Sequence, residues 1–236
     1  MASAASVVGK LGQAVIDLIF PARCVGCGVG GTLLCADCRA SLPAAAPPRC
    51  PRCWRPGREG GACYECRATP PAFDGLRAAF VYTGTARVLV RALKYRGMTA
   101  LATPMGSLLA EAARQQELLA DLVVPVPLSG MRQRTRGYNQ AQALAESLAN
   151  ELSLPLRVPA LRRRRHTPPQ ARSSDAETRR RNVAGAFVAR EEIVAGQIVL
   201  LVDDVTTTGA TLAACAAALR EAGARSVWAL AFARED

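Results

Sequence analysis

Four cysteine pairs stand in the first 66 residues of this 236-residue sequence, and each pair has two residues between its thiols. A Cys-x-x-Cys turn lets both sulfurs bind one tetrahedral ion, and two such turns complete a four-thiolate shell with no open position. Zinc fits such structural sites better than an iron–sulfur cluster or a set of disulfides. The sequence therefore predicts two structural Zn²⁺ sites built from Cys24, Cys27, Cys35, Cys38, Cys50, Cys53, Cys63 and Cys66.

Two pairings of these turns are open. Sequential pairing places the first two turns on one ion and the last two on the other, which makes a double zinc ribbon. Interleaved pairing, as in a RING-type cross-brace, places alternate turns on each ion. The order of the turns favours sequential pairing. The ninth cysteine, Cys215, lies in an alanine-rich segment and is expected to be a buried apolar residue.

A second group of residues that could bind a ligand follows a buried strand predicted at 198–202. Two carboxylates, Asp203 and Asp204, come directly after this strand, and a threonine-rich loop then leads into a predicted helix. Backbone amides of such a loop and of the helix N-terminus bind phosphate, while the acids can accept hydrogen bonds from sugar hydroxyls. The pattern predicts a sugar-phosphate site whose phosphate loop comprises Val205, Thr206, Thr207, Thr208, Gly209, Ala210 and Thr211.

Two other classes of acidic or phosphate-binding loop are excluded. A Walker A loop requires a lysine after the glycine, and none follows Gly209. In a response-regulator receiver domain the acidic pair opens the domain, whereas Asp203 and Asp204 stand close to the end of this sequence.

The elements that position these groups begin near residue 70, where prolines close the cysteine-rich stretch. This predicts two domains, 1–70 and 71–236. Unbroken runs of valine, isoleucine and leucine alternate with helical patterns, which indicates an α/β fold whose mostly parallel sheet has helices on both faces. Strands are predicted at 76–82, 122–126, 156–158, 186–189, 198–202 and 226–232, and helices at 86–94, 100–116, 139–152 and 211–222.

The amino-acid composition restricts the environment in which the protein can lie and the ligands that it can attract. Half of the residues are apolar, yet no run is long enough to cross a membrane, and residues 1–20 suit an amphipathic helix better than a secretory signal. We therefore expect a cytoplasmic protein without membrane insertion. The formal net charge is +11. Eight zinc-bound thiolates would lower this charge but leave it positive, which favours phosphorylated ligands or nucleic acid.

The acid pair and its loop resemble the 5-phosphoribosyl-1-pyrophosphate (PRPP) signature of type I phosphoribosyltransferases. Further motifs are Leu93-Lys94-Tyr95-Arg96-Gly97, Val124-Pro125-Val126-Pro127, Arg134-Thr135-Arg136-Gly137-Tyr138-Asn139-Gln140-Ala141, Thr167-Pro168-Pro169-Gln170 and Arg181-Asn182-Val183-Ala184-Gly185-Ala186-Phe187. With the predicted zinc ribbon, these motifs narrow the resemblance to the ComF family. The resemblance implies a type I phosphoribosyltransferase fold with a small amino-terminal zinc ribbon, and a link to natural transformation and single-stranded DNA.

The resemblance also implies roles for individual residues. Asp203 and Asp204 would hold the ribose hydroxyls as the catalytic acid pair, and the loop from Val205 to Thr211 would take the 5′-phosphate. With Mg²⁺, the site would displace pyrophosphate from C1 of PRPP by a nitrogen nucleophile that the sequence does not identify. The pyrophosphate turn and the flexible catalytic loop would contribute Arg132, Arg134, Arg136, Gly137 and Arg181.

Two functions from different classes are consistent with these residues. One is a phosphoribosyltransferase. The other is a non-catalytic PRPP-binding adaptor that contacts single-stranded DNA, or competence and DNA-uptake proteins, through basic segments such as 162–165. Trp54 and Tyr64 are the aromatic residues of the cysteine knuckles, so the ribbon offers few platforms for base stacking. The oligomeric state is not indicated by the sequence.

Overall fold

The computed structural model describes residues 22–57, 61–164 and 185–236. The amphipathic helix predicted within 1–20 lies outside these residues. The strands are β1 (Gly75–Val81), β2 (Leu122–Pro125), β3 (Leu161–Arg163), β4 (Phe187–Ala189), β5 (Ile198–Thr206) and β6 (Ser226–Arg234). The helices are α1 (Ala36–Ala40), α2 (Tyr64–Ala68), α3 (Gly84–Tyr95), α4 (Ala102–Gln115), α5 (Gly130–Arg136), α6 (Gln140–Leu152), α7 (Glu191–Val194) and α8 (Ala210–Glu221).

A parallel four-stranded sheet forms the centre, in the order β1-β6-β5-β2. Alternate residues of β5 belong to two apolar clusters, because successive side chains of a strand point to opposite faces. Val199 and Leu201 pack in the cluster that includes α8, whereas Leu200 and Val202 pack in the cluster that includes α3, α4 and α6. This confirms the predicted α/β fold with both faces covered.

The structure differs from the predicted elements at three places. The strand expected at 156–158 is reduced to one bridge between Leu156 and Val123, because Pro155 and Pro159 lack the amide hydrogens that a longer ladder needs. The basic turn before residue 137 contains α5, a helix that was not predicted. The strand β3 was not predicted either, and it pairs with β4 in an antiparallel ladder.

The cysteine-rich region covers the β1 edge of the sheet. Ala44 forms an antiparallel bridge with Phe80, and the Val81 amide donates to the Pro43 carbonyl at 2.8 Å. Such pairing hides a strand edge that would otherwise be open to another chain. Within the described ranges, no helix is both long and apolar enough to span a membrane.

Candidate functional site

The eight paired cysteines form two groups of four. The sulfur atoms of each group all lie within 4.8 Å of one another. A tetrahedral ion with zinc–sulfur bonds of about 2.3 Å places its ligands about 3.8 Å apart. The Cys27 and Cys35 sulfurs are 3.6 Å apart, and those of Cys53 and Cys63 are 3.7 Å apart. The groups therefore fit structural zinc, and the pairing is sequential: the first ribbon has Cys24, Cys27, Cys35 and Cys38, and the second has Cys50, Cys53, Cys63 and Cys66.

The first cysteine of each ribbon, Cys24 or Cys50, has backbone amides close to its sulfur. The Cys35 amide lies 3.4 Å from the Cys24 sulfur, and the Cys63 amide lies 3.3 Å from the Cys50 sulfur. Burial alone would raise the pKa of Cys24 and of Cys50, but hydrogen bonds from these and other backbone amides lower each pKa to about 6. Cys24 and Cys50 thus favour the thiolate form that zinc binds.

The acid pair lies within β5, near its carboxyl end. Asp204 is buried, and its carboxylate forms an ion pair with the Lys94 ammonium at 2.8 Å. The half-buried Asp203 accepts a hydrogen bond from the Asp204 amide at 2.9 Å. Lys94 therefore compensates one of the two adjacent negative charges. Its role was not predicted, although Lys94 is one of only two lysines in a chain with 30 lysines and arginines in total.

The end of α3 joins the acid pair to the turn that follows β2. The Tyr138 hydroxyl donates a hydrogen bond to the Leu93 carbonyl. Arg136 stacks on Tyr95, with its guanidinium carbon 5.1 Å from the ring centroid, and donates to the Gln140 side chain at 2.9 Å. Together with the ion pair of Lys94, these contacts tie three consecutive α3 residues to the site.

The Arg-Gly-Tyr-Asn-Gln motif has a structural explanation at each position. Gly137 ends α5 at a φ of +79°, a left-handed conformation that favours glycine. Asn139 caps α6 by accepting a hydrogen bond from the Ala141 amide at 3.1 Å. Burial raises the pKa of Tyr138, and the Asp204 charge adds to this, while Gln140 and the Arg136 charge oppose it. The phenol therefore stays protonated and can donate its hydrogen bond.

The predicted phosphate loop divides between strand, turn and helix. Val205 and Thr206 belong to β5 because they still pair with Ala233 and Arg234 of β6. The turn begins at Thr207 and ends at Gly209, whose φ of +79° favours glycine. Ala210 and Thr211 begin α8, and the Ala210 amide donates to the Thr208 hydroxyl at 3.3 Å.

The predicted pyrophosphate arginines are placed unequally. Arg132 and Arg134 lie on α5 rather than in an irregular turn. Arg134 is exposed and has no hydrogen-bond or ion-pair partner in the described part of the chain. Arg136 lies beside Tyr95, next to the ion pair of Lys94. Arg181 lies outside the described residues. Of Arg134 and Arg136, whose side chains the structure describes, Arg136 is the one whose contacts link it to the acid pair.

Two cavities adjoin the site. A cleft of about 360 Å³ at the end of β2 is lined by Pro127, Asn139 and the three arginines Arg162, Arg163 and Arg164, among others. A cavity of about 240 Å³ separates the second ribbon from the phosphate turn and is lined by Cys66, Phe73 and Gly209, among others. The second ribbon was not predicted to approach the phosphate loop.

Two domain families match different parts of this chain. The double zinc ribbon domain family matches residues 15–67, and the phosphoribosyl transferase domain family matches residues 138–235. Competence protein F of Haemophilus influenzae is 31% identical over 181 residues, which cover 71% of this chain and 76% of that protein. The chain belongs to the ComF family.

Other proteins similar to this ComF-family chain match over a shorter region. The DNA utilization protein YhgH of Salmonella typhi is 36% identical over 144 residues, which cover 58% of this chain and 63% of that protein. Competence protein ComFC of Bacillus subtilis is 28% identical over 133 residues, which cover 52% of this chain and 54% of that protein. The chain thus spans less than two thirds of these two relatives.

Solved phosphoribosyltransferase structures also match part of the chain. A glutamine PRPP amidotransferase from B. subtilis covers 56% of this chain and 26% of its own, with 21% identity and a TM-score of 0.40. A purine phosphoribosyltransferase from Pyrococcus horikoshii covers 56% of this chain and 81% of its own, with 17% identity and a TM-score of 0.32. The ComF-family chain has a type I phosphoribosyltransferase-like fold with an amino-terminal double zinc ribbon.

Proposed function

We propose that this ComF-family protein binds PRPP with Mg²⁺ and transfers its phosphoribosyl group to a nitrogen acceptor. The observation that carries the proposal is the acid pair near the carboxyl end of a buried parallel strand, which leads two residues later into the threonine–glycine turn and the start of α8. In an open α/β sheet, ligands bind at the carboxyl ends of strands. The ion pair between Lys94 and Asp204 also limits the negative charge that a polyanionic ligand would meet.

Each part of PRPP has a group suited to it. Asp203 and Asp204 offer acceptors for the ribose hydroxyls, and the turn from Thr207 to Gly209 offers amides and hydroxyls for the 5′-phosphate. Arg134 and Arg136 suit the pyrophosphate, because a guanidinium can donate two hydrogen bonds to neighbouring phosphate oxygens.

The transfer would break the bond between C1 and the pyrophosphate oxygen and form a bond between C1 and the acceptor nitrogen. Pyrophosphate leaves with the electron pair, and the nitrogen loses a proton to solvent. Mg²⁺ prefers oxygen ligands and would be held by pyrophosphate and ribose oxygens beside Asp203, where it supplies charge neutralisation. Arg136, linked to the acid pair through Tyr95 and the neighbouring Lys94, would stabilise the departing charge.

Calorimetric titration of PRPP and Mg²⁺ into the zinc-loaded protein tests binding. We expect the Asp203→Asn, Asp204→Asn double variant to lose binding. A matched control is Glu191→Gln, Glu192→Gln, because these adjacent acids are exposed on α7. Binding that survives in the acid-pair variant would contradict the proposed site. If the wild type binds PRPP, an assay of pyrophosphate release with nucleobases or amines distinguishes a transferase from a protein that only binds PRPP.

Lys94 provides a second test of the same site. Lys94→Met removes the cation that pairs with Asp204, so we expect affinity for Mg²⁺–PRPP to fall on the order of tenfold. Lys94→Arg keeps the charge and should restore part of the affinity. Equal affinity of Lys94→Met and wild type, measured across a Mg²⁺ series, would show that the ion pair has no role in ligand binding.

A second candidate function is single-stranded DNA binding, with or without catalysis. The formal net charge of +11 favours it, and the similar proteins include a competence protein and a DNA utilization protein. Contacts with phosphates predict an affinity that falls steeply as the salt concentration rises. Binding of a labelled oligonucleotide that does not change between low and high salt would contradict this function.

A further inference from the structure

One side of α3 carries a row of exposed basic and aromatic side chains. Arg87, Arg91 and Tyr95 are spaced by four residues, which places them along one face of the helix, and all three are exposed. Tyr95 is 69% exposed. Arg96 follows and is also exposed. We call these four residues the α3 face.

The arginines of the α3 face have no acidic partners. The sequence has no aspartate or glutamate between Asp74 and Glu111. The side chains of Arg87, Arg91 and Arg96 make no hydrogen bond or ion pair within the described ranges. Other arginines of this chain do find acids, as in the pairs Arg49–Asp236, Arg55–Glu65 and Arg220–Asp74. The positive charge of the α3 face is therefore available to a negatively charged partner.

The α3 face leads directly to the candidate site. The helix begins after the carboxyl end of β1 and, 12 residues later, ends where Lys94 meets Asp204 near the end of β5. Arg136 covers one side of the Tyr95 ring. A ligand that follows the α3 face towards its last turn therefore arrives beside the acid pair.

The chemistry of the α3 face selects the kind of partner. Guanidinium groups repeated along a helix suit repeated phosphates, and an exposed tyrosine beside an arginine suits an unpaired base. Val88 is the only other large apolar residue exposed on this helix, which is too little apolar surface to insert into a membrane. A base paired within a duplex cannot stack on Tyr95, so the partner is single-stranded.

We propose that the α3 face binds single-stranded DNA, with the arginines on phosphates and Tyr95 stacked on a base next to the acid pair. This inference rests on the DNA-binding function proposed above and assigns it a surface. It differs from the sequence expectation, which placed DNA contacts at the basic segment around 162–165.

Fluorescence anisotropy with a labelled oligothymidylate over a salt series tests the charges. Each phosphate contact on a single strand contributes about 0.7 to the slope of log affinity against log salt concentration. Arg87→Gln, Arg91→Gln should therefore reduce the slope by about 1.4. The control Arg157→Gln, Arg190→Gln removes two exposed arginines near β3 and β4 and should leave the slope unchanged. Equal losses in the two variants would overturn the proposal.

Substitution of Tyr95 tests the stacking contact. Tyr95→Leu should weaken oligothymidylate binding about fivefold or more without changing the salt slope, because it removes a stacking surface and no charge. Tyr95→Phe keeps the ring and should bind like wild type. Binding of Tyr95→Leu equal to wild type would overturn the role of the ring.

The outcomes distinguish an error in the assigned surface from an error in the proposed DNA-binding function. If the wild type binds the oligonucleotide and all α3 variants bind equally well with the wild-type salt slope, the α3 face is wrong while DNA binding stands. If the wild type does not bind the oligonucleotide, both proposals fail. Tighter binding of a duplex than of a single strand would also overturn the inference, since the stacking contact requires an unpaired base.

Discussion

The first zinc ribbon packs beside helices, whereas the second packs against β1 and β6 of the central sheet. Near the first ribbon, Ser41 and Thr85 share a hydrogen bond of 2.8 Å at the start of α3. Arg39 of this region forms an exposed ion pair with Glu111 on α4. These contacts hold the first ribbon to the outside of the molecule without reaching the acid pair or the phosphate turn.

The second ribbon is bound to β1 and β6 by two arginines. The Arg77 guanidinium carbon lies 4.5 Å from the Trp54 ring centroid and 5.2 Å from that of Trp228, and Arg77 donates to the Pro51 carbonyl at 2.8 Å. The buried Arg234 donates to the Cys53 carbonyl, also at 2.8 Å. The ribbon knuckle and the two strands are therefore joined by polar contacts, of which the one from Arg234 is buried.

The second ribbon also supports the phosphate turn. The Leu76 amide donates to the Arg52 carbonyl at 2.7 Å, which fixes β1 against the Cys50–Cys53 knuckle. Leu76 and Phe73 in turn lie close to Gly209, so that a β-carbon at this glycine would be 3.7 and 3.8 Å from their side chains. The two ribbons have the same cysteine geometry but different neighbours. We therefore expect the phosphate turn to depend on the metal of the second ribbon and not on that of the first.

Removal of the zinc ion from the second ribbon should have the largest effect on ligand affinity. Cys50→Ser, Cys53→Ser should lose one of two zinc ions, and affinity for Mg²⁺–PRPP should fall by about tenfold or more. Structural zinc supplies folding free energy of about 10 kcal/mol or more to its site. That site fixes β1 through the hydrogen bond between Leu76 and Arg52, and the Leu76 side chain lies close to Gly209 of the phosphate turn. Metal analysis and calorimetry measure both effects.

The matched control is the first ribbon. Cys24→Ser, Cys27→Ser should also lose one zinc ion, yet its affinity for Mg²⁺–PRPP should stay within about twofold of wild type, because none of the described contacts joins the first ribbon to the phosphate turn. Equal losses of affinity in the two variants would mean that the ribbons support the site in the same way.

An intermediate effect is expected at the buried arginine of β6. Arg234→Met keeps much of the side-chain volume but leaves the Cys53 carbonyl without its donor, so the free energy of unfolding should fall by about 2–4 kcal/mol. Chemical denaturation measures this change. Arg225→Met, at an exposed ion pair just before β6, should cost no more than about 1 kcal/mol. Similar costs for both would argue against a buried link.

The smallest effect on stability is expected for a substitution on the surface of the first ribbon. Arg39→Gln breaks the exposed ion pair with Glu111, and such pairs contribute about 0.2–1 kcal/mol. We expect a thermal midpoint within a few degrees of wild type and no change in zinc content. A large loss of stability would show that the first ribbon depends on this helix contact more than its exposure indicates.

The residues whose chemistry depends on near neighbours in the chain could be predicted. The Cys-x-x-Cys turns and the order of strand, acid pair and loop are local patterns, and the structure places the sulfurs of each group together as sequential pairing requires. The burial of both faces of β5 was also predictable from its apolar run. Trp54 was considered a possible stacking platform, yet it is buried against Arg77.

The ligands that each segment offers follow from the sequence alone, because thiolate spacing, a carboxylate pair and a glycine turn are set by a few adjacent residues. Which distant segments meet depends on the tertiary fold. Lys94 reaches Asp204 because α3 ends beside β5, and the second ribbon is connected to Gly209 indirectly, through Leu76 of β1. Such contacts follow from the crossing of helices and the order of strands in the sheet, which no local pattern of residue types encodes.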